Sequence, residues 1–288
     1  MRTRFLSKCT NDEVETYLER NDVIIVACGV TELHGGRPLD CESVLSEALA
    51  LKLAEEADAL VLHNLPYLYA GATAMGRGTT QLSVRASIDY LYGLAESLIR
   101  QGFRRIIWTS LHGPAGMFVG PVIRDIFDAH KVAMLYVDPI EVLSKAEGGL
   151  MGALGAGGGE DPFGDMAAAA YDALGRLDDL PLGTPETAYW GERRPSSVGF
   201  AQRLIDTAFG SSSVAYYFGE RTDHMTTQVL HTDADRRAAA GRGRRHYDSL
   251  VAQIAVKALV ADLRTLEAHN EAAMARYPSV RGVGAAGR

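Results

Sequence analysis

The fold is decided by Asp22-Val23-Ile24-Ile25-Val26-Ala27-Cys28-Gly29-Val30. This run is rich in β-branched residues and almost continuously apolar, the pattern of a strand buried on both faces of a sheet. Working outward, residues 43–57 carry Leu45, Leu49, Leu51 and Leu53 among many alanines and predict a helix. Residues 59–65 read as a second strand. Residues 83–102 set Ile88, Leu91, Leu94, Leu98 and Ile99 at helical spacing and close on Gly102, a helix stop. A third strand is expected over 105–110, a helix over 117–130 and a fourth strand over 132–137. Strand–helix alternation with short connections means βαβ units. The expected class is therefore α/β, with a mostly parallel central sheet flanked by helices on both faces.

Downstream, residues 147–159 are so rich in glycine that no packed element is expected there. Such a loop either closes over a substrate or is simply mobile. A helix over 166–174 follows, then an irregular stretch containing Pro181, Pro185 and Pro195, a strand over 213–218, and a long C-terminal helix over about 235–272, interrupted near Gly241. No repeat and no clean linker divides the chain, so one domain over 1–288 is expected.

The 288 residues are 47% hydrophobic and 23% charged, an ordinary soluble globular composition. Lys and Arg total 29 against 36 Asp and Glu, and the net charge of −7 argues against nucleic-acid binding. Three cysteines, Cys9, Cys28 and Cys41, make no disulfide framework and fit a reducing cytoplasm. The basic N-terminal residues precede no apolar run, so no secretory signal is read. Residues 59–76 lack Asp, Glu, Lys and Arg, but His63, Asn64, Pro66 and Gly71 mark strand then loop, and no membrane span is expected. Arg236, Arg237, Arg242, Arg244 and Arg245 read as a solvated or subunit-contacting helix face, and Trp108 as core. There is no Gly-x-Ser-x-Gly elbow and no Cys-x-x-Cys pair.

Ligands of open parallel sheets sit beyond the carboxyl ends of the strands. The first strand is followed by Thr31-Glu32-Leu33-His34-Gly35-Gly36, the third by Ser110-Leu111-His112-Gly113-Pro114, and the fourth by Asp138-Pro139. In an extended segment residues i and i+2 point the same way, so Glu32 and His34 can converge. Glu42 opens the next helix close by. Imidazoles and carboxylates gathered at one point are the ligand set of zinc, manganese or iron. Asp138 reads equally as a partner of a ligating histidine or as a turn residue before Pro139.

These segments resemble those of a known family. Glu32-Leu33-His34-Gly35-Gly36-Arg37-Pro38-Leu39-Asp40-Cys41-Glu42 is similar to the creatininase (creatinine amidohydrolase) signature Glu-Gln-His-Gly-Pro-His-Leu-Pro-Leu-x-Thr-Asp with one residue deleted. Gly78-Thr79-Thr80 stands where the family has Gly-Thr-(Ile/Leu)-Ser. The stretch from Gly102 to Gly113 resembles Gly-Phe-(Arg/Lys)-x-Ile-x-x-x-Asn-Gly-His-Gly. A degenerate counterpart of His-Ala-Gly-x-x-Glu-Thr-Ser begins at Glu160 and places Asp165 at the Glu.

The resemblance implies a creatininase-like fold and a metal-dependent amidohydrolase with two divalent ions, zinc, manganese or iron. Glu32 and His34 would each serve one ion, Glu42 would bridge them, and His112 and Asp165 would complete the ligands. Hydroxide generated on the metals would cleave a C–N bond of a small cyclic or linear amide. Glu160, Asp161 or His224 would protonate the leaving amine. Arg37 replaces the family's second histidine and hints at an anionic group on the substrate. Trp190, beside Tyr189, is a candidate wall of the substrate pocket. The implied assembly is a homo-oligomer, a hexamer. Departures at Arg37, Ser110-Leu111 and Glu160 leave open a non-catalytic relative that keeps the fold as a small-molecule-binding or assembly subunit.

Overall fold

The computed structural model describes residues 1–146, 161–183, 204, 214–218 and 229–282. Four strands, β1 (Val23–Ala27), β2 (Leu60–Leu62), β3 (Arg105–Thr109) and β4 (Met134–Val137), form one sheet in the order β2-β1-β3-β4. Every pairing is parallel. The helices are α1 (Asn11–Leu18), α2 (Cys41–Ala57), α3 (Val84–Gln101), α4 (Gly116–His130), α5 (Pro139–Lys145), α6 (Pro162–Ala173), α7 (Asp233–Ile254) and α8 (Val256–Arg276).

Strand alternation sorts the core into two layers. Val23, Ile25 and Ala27 of β1 pack with Leu45 and Leu49 of α2, Met166 of α6 and Leu250 of α7. Ile24 and Val26 face the other way, onto Leu91 and Leu98 of α3 and Phe118 and Val122 of α4. Burial on both faces is why β1 reads as an unbroken apolar run. Trp108 of β3 is fully buried, as expected. Cys28 and Cys41 are buried free thiols, and Cys9 is free and half-buried.

The connection from β1 through α2 runs to β2 on one side. The next, through α3 on the opposite face, carries the chain back past β1 to β3. Strand order thus reverses between β1 and β3, where neighbouring connections leave the sheet on opposite faces and open a crevice. α3 begins and ends where its sequence signals lie: Ser83 Oγ accepts from Ala86 N at 3.1 Å, and Gly102 takes the left-handed conformation at φ 109°. α1 was not expected, although the capping box joining Thr10 and Glu13 is a legible start signal.

Three expectations are corrected. The C-terminal helix breaks at Ala255, at φ 50°, and not near Gly241. Of the two glycines of α7, Gly243 serves close packing: a Cβ there would lie 1.8 Å from the Asp165 carbonyl oxygen and 2.8 Å from Ala169 Cβ. Gly243→Ala is therefore expected to cost about 3 kcal/mol through overpacking. A urea midpoint equal to that of the parent protein would refute this use of the glycine. The arginine run is not simply a solvated face. Arg242 pairs with Asp165 and Arg244 with Asp172 because α7 lies along α6 and its acidic residues, and Arg236 pairs with Asp233 of its own helix and the Leu180 carbonyl. Finally, residues 214–218 form no strand. Their alternation reflects an extended segment held to the loop after β2 by Phe218 N donating to the Ala72 carbonyl at 3.0 Å, with no ladder beside it among the described residues.

Residues 147–159 and the stretch containing Pro185 and Pro195 lie outside the described residues. Among the described residues, no helix is long and apolar enough to cross a membrane.

Candidate metal centre

The crevice between the carboxyl ends of β1 and β3 receives Glu32 and His34 from one side and His112 from the other. Each is held by identifiable backbone contacts. Thr80 N donates to the Thr31 carbonyl at 3.0 Å, Leu33 N donates to Thr79 Oγ1 at 2.9 Å, and Glu32 N donates to the Leu39 carbonyl at 2.9 Å. The Gly78-Thr79-Thr80 segment thus clamps the extended chain that presents Glu32. Glu42 sits in the first turn of α2, whose start is fixed through the preceding Asp40. That carboxylate accepts from Tyr171 Oη at 2.6 Å and pairs with Arg176 at 2.8 Å. Ser46 Oγ donates to the Glu42 carbonyl at 2.7 Å and accepts from Leu111 N at 2.9 Å, which ties α2 to the loop after β3. Ser110 Oγ donates to the Cys28 carbonyl at 2.8 Å and accepts from His112 N at 3.2 Å. Ser110 therefore locks the two strand ends together.

The functional atoms converge as a result. Glu32, His34 and Glu42, all buried, offer ligand atoms within 4.8 Å of one another. Glu42 faces both histidines: its Oε2 lies 2.5 Å from His112 Nδ1, and its Oε1 lies 3.9 Å from His34 Nδ1. His112 Nδ1 is also 3.1 Å from Glu32 Oε1. His112 Nε2 donates to the Tyr69 carbonyl at 2.8 Å, which directs Nδ1 toward the carboxylates. An outer carbonyl fixing ring orientation is the usual support of a ligating imidazole. Thr73 Oγ1 donates to Glu32 Oε2, and the Phe163 ring stacks on His34 with centroids 5.7 Å apart. Tyr69, Thr73 and Phe163 were not singled out from sequence, because nothing in their types or spacing distinguishes them from ordinary loop and helix residues.

The chemistry of the donors fits a divalent cation. Ligands about 2.0–2.2 Å from a metal lie up to roughly 4.4 Å apart, so the observed spread needs only small adjustment. Burial pushes the Glu42 carboxyl up to about 8, with Glu32 adding to the rise against the opposing effect of His112. At His112, burial opposes protonation, but the charges and hydrogen bonds of Glu42 and Glu32 outweigh it and raise its proton affinity. The cation-free cluster thus retains a proton that a metal must displace. Ligands bind metal deprotonated, so affinity is expected to rise with pH through neutrality. Calorimetry in buffers of different ionisation enthalpy should show about one proton released per ion bound. Binding that is independent of pH would contradict the cluster's charge state.

The remaining described candidates have partners of their own. Both Asp165 oxygens accept from Arg242, at 2.8 Å each, and Asp165 is fully buried. Arg37 pairs with Asp161 at 2.5 Å, and Asp161 also caps α6 by accepting from Gly164 N at 2.9 Å. Asp138 caps α5, accepting from Ile140 N at 2.9 Å, which is the turn reading. Glu160, Trp190 and His224 lie outside the described residues. The cluster opens on a cavity of about 320 Å³ lined by Glu32, Glu42 and His112 together with Tyr69, Thr73, Leu111 and Phe163.

Comparison with known proteins finds relatives of this fold. The family model for creatininase, creatinine amidohydrolase, matches residues 7–257. A crystal structure of creatinine amidohydrolase (creatininase) is 18% identical, with a TM-score of 0.60 over 91% of this chain and 99% of that one. A putative creatinine amidohydrolase from Bacteroides fragilis is 21% identical, with a TM-score of 0.62 over 88% and 94%. A point mutant of creatininase in its Zn-Zn type is 17% identical, with a TM-score of 0.60 over 91% and 99%. No curated protein matches.

Proposed function

The chain belongs to the creatininase family, and from that premise we propose that it is a metal-dependent amidohydrolase acting on a small cyclic or linear amide. The observation that carries the reading is Glu42, buried at the strand-order reversal with one oxygen toward His34 and the other toward His112. Together with Glu32 beside His112, that carboxylate would hold divalent cations. We take Glu32, His34, Glu42 and His112 as the ligands and leave Asp165 to its pairing with Arg242. A divalent metal bound by these residues would supply a water nucleophile at neutral pH and would polarise a substrate carbonyl.

The chain's own residues do the rest. Tyr69 and Thr73 hold His112 and Glu32 in register through hydrogen bonds. The cavity walls exclude bulk water from the carbonyl, which strengthens electrostatic interactions in the site. An amide nitrogen leaves poorly as an anion, so an acid must supply its proton. Asp161 has its oxygens turned to Arg37 and to the start of α6. In this reading the acid is Glu160 or His224, and the limb of the pH–rate profile lost in Glu160→Gln or in His224→Asn identifies it. Assembly as a homo-oligomer belongs to the same proposal.

Metal analysis of the purified protein tests the reading. About two equivalents of zinc, manganese or iron are expected, with amide hydrolysis lost on chelation and restored by re-addition. A folded protein that takes up no divalent ion and hydrolyses no amide would overturn it.

A further inference from the structure

Resting on that reading, we propose that the substrate is a neutral amide or lactam whose carbonyl carries an apolar group, aromatic or branched aliphatic, seated in the cavity beside the metal centre. The cavity combines two kinds of lining. Glu32, Glu42 and His112 mark where a reacting carbonyl would stand, and Phe163, Met117, Ile140, Tyr216 and Phe218 provide hydrocarbon and aromatic surface from separate elements. Phe163 belongs to both parts, since its ring stacks on His34. In the extended segment, Tyr216 and Phe218 are half-buried, whereas Tyr217 between them is 68% exposed. The segment therefore turns its alternate aromatics toward the cavity.

This composition answers the expectation drawn from Arg37. Its guanidinium is engaged by Asp161 and is not part of the lining, and none of the described lining residues is Lys or Arg. A carboxylate on the substrate would exchange its hydration for described walls that carry no Lys or Arg, which is unfavourable. An apolar group gains from the same transfer, each buried methylene multiplying affinity by roughly fourfold. A volume of about 320 Å³ lies at the small end of ligand pockets and suits a small molecule.

The experiment titrates the metal-loaded full-length protein with three metal-binding amide mimics: acetohydroxamate, phenylacetohydroxamate and a hydroxamate bearing a terminal carboxylate. Phenylacetohydroxamate is expected to bind at least roughly tenfold more tightly than acetohydroxamate, and the carboxylate compound no better than acetohydroxamate. Met117→Ser and Ile140→Asp should each lower the ratio of phenyl to methyl affinity, and a urea midpoint near that of the parent protein shows that the variants are folded. Equal affinities for the phenyl and methyl compounds, or a preference for the carboxylate, would overturn the apolar assignment while the metal centre stood. Failure of all three to bind would overturn the metal centre itself, and the assignment with it.

Discussion

His112→Ala is expected to abolish tight metal binding and to reduce amide hydrolysis by about a thousandfold or more. Even outer partners of metal ligands change affinity by about 10–100-fold, so removal of a ligand should exceed that range. The geometry adds a second penalty. His112 lies between Glu32 and Glu42, at 3.1 and 2.5 Å, and its loss leaves two buried carboxylates facing one another. One of them must then hold a proton, which also competes with any cation. His112→Asn keeps a polar side chain against the Tyr69 carbonyl and serves as the milder companion. It should fold like the parent protein and still lose the metal. Metal content, chelator competition and activity are measured on both. Full retention of metal in a folded His112→Asn protein would remove this residue from the ligand set.

Arg242→Ala is expected to produce the largest loss of stability among surface-reachable substitutions, about 3 kcal/mol in chemical denaturation. Asp165 is fully buried and directs both oxygens to the Arg242 guanidinium, whose side chain is 30% exposed. Removing one partner of a buried pair strands the other charge, a cost of about 3–5 kcal/mol, taken here at its lower end because water reaches the guanidinium. Asp165→Asn keeps the shape without the stranded charge and should cost less. The same variant separates two roles for Asp165. A structural partner of Arg242 leaves metal content unchanged when Asp165 becomes Asn, whereas a ligand lowers it in a protein that is still folded.

Much of the fold is legible because burial leaves periodic marks. β1 is buried on both faces and therefore shows a run, not an alternation. α3 carries its stops, Ser83 and Gly102, at the positions the structure uses. The end of α7 is different. Ala255 adopts a left-handed conformation that nothing in its type announces, while Gly241 and Gly243 look like a break and Gly243 serves contact with α6. Residues 214–218 alternate like a strand because a cavity wall, like a sheet, buries every second side chain.

The sequence by itself determined which residue types leave the strand ends. Glu32 and His34 follow β1, His112 follows β3 and Glu42 opens α2, positions fixed by short connections and by the two-residue period of extended chain. Only the tertiary structure decided which of the charged candidates face one another. Asp165 and Arg37 stood beside the others in the chain, but each found a closer counter-charge, in Arg242 and Asp161, from helices distant in sequence. A buried charge takes the partner that packing brings within hydrogen-bond reach, and that choice is made by how α7 lies on α6 and how the start of α6 meets the loop after β1, which no local pattern records.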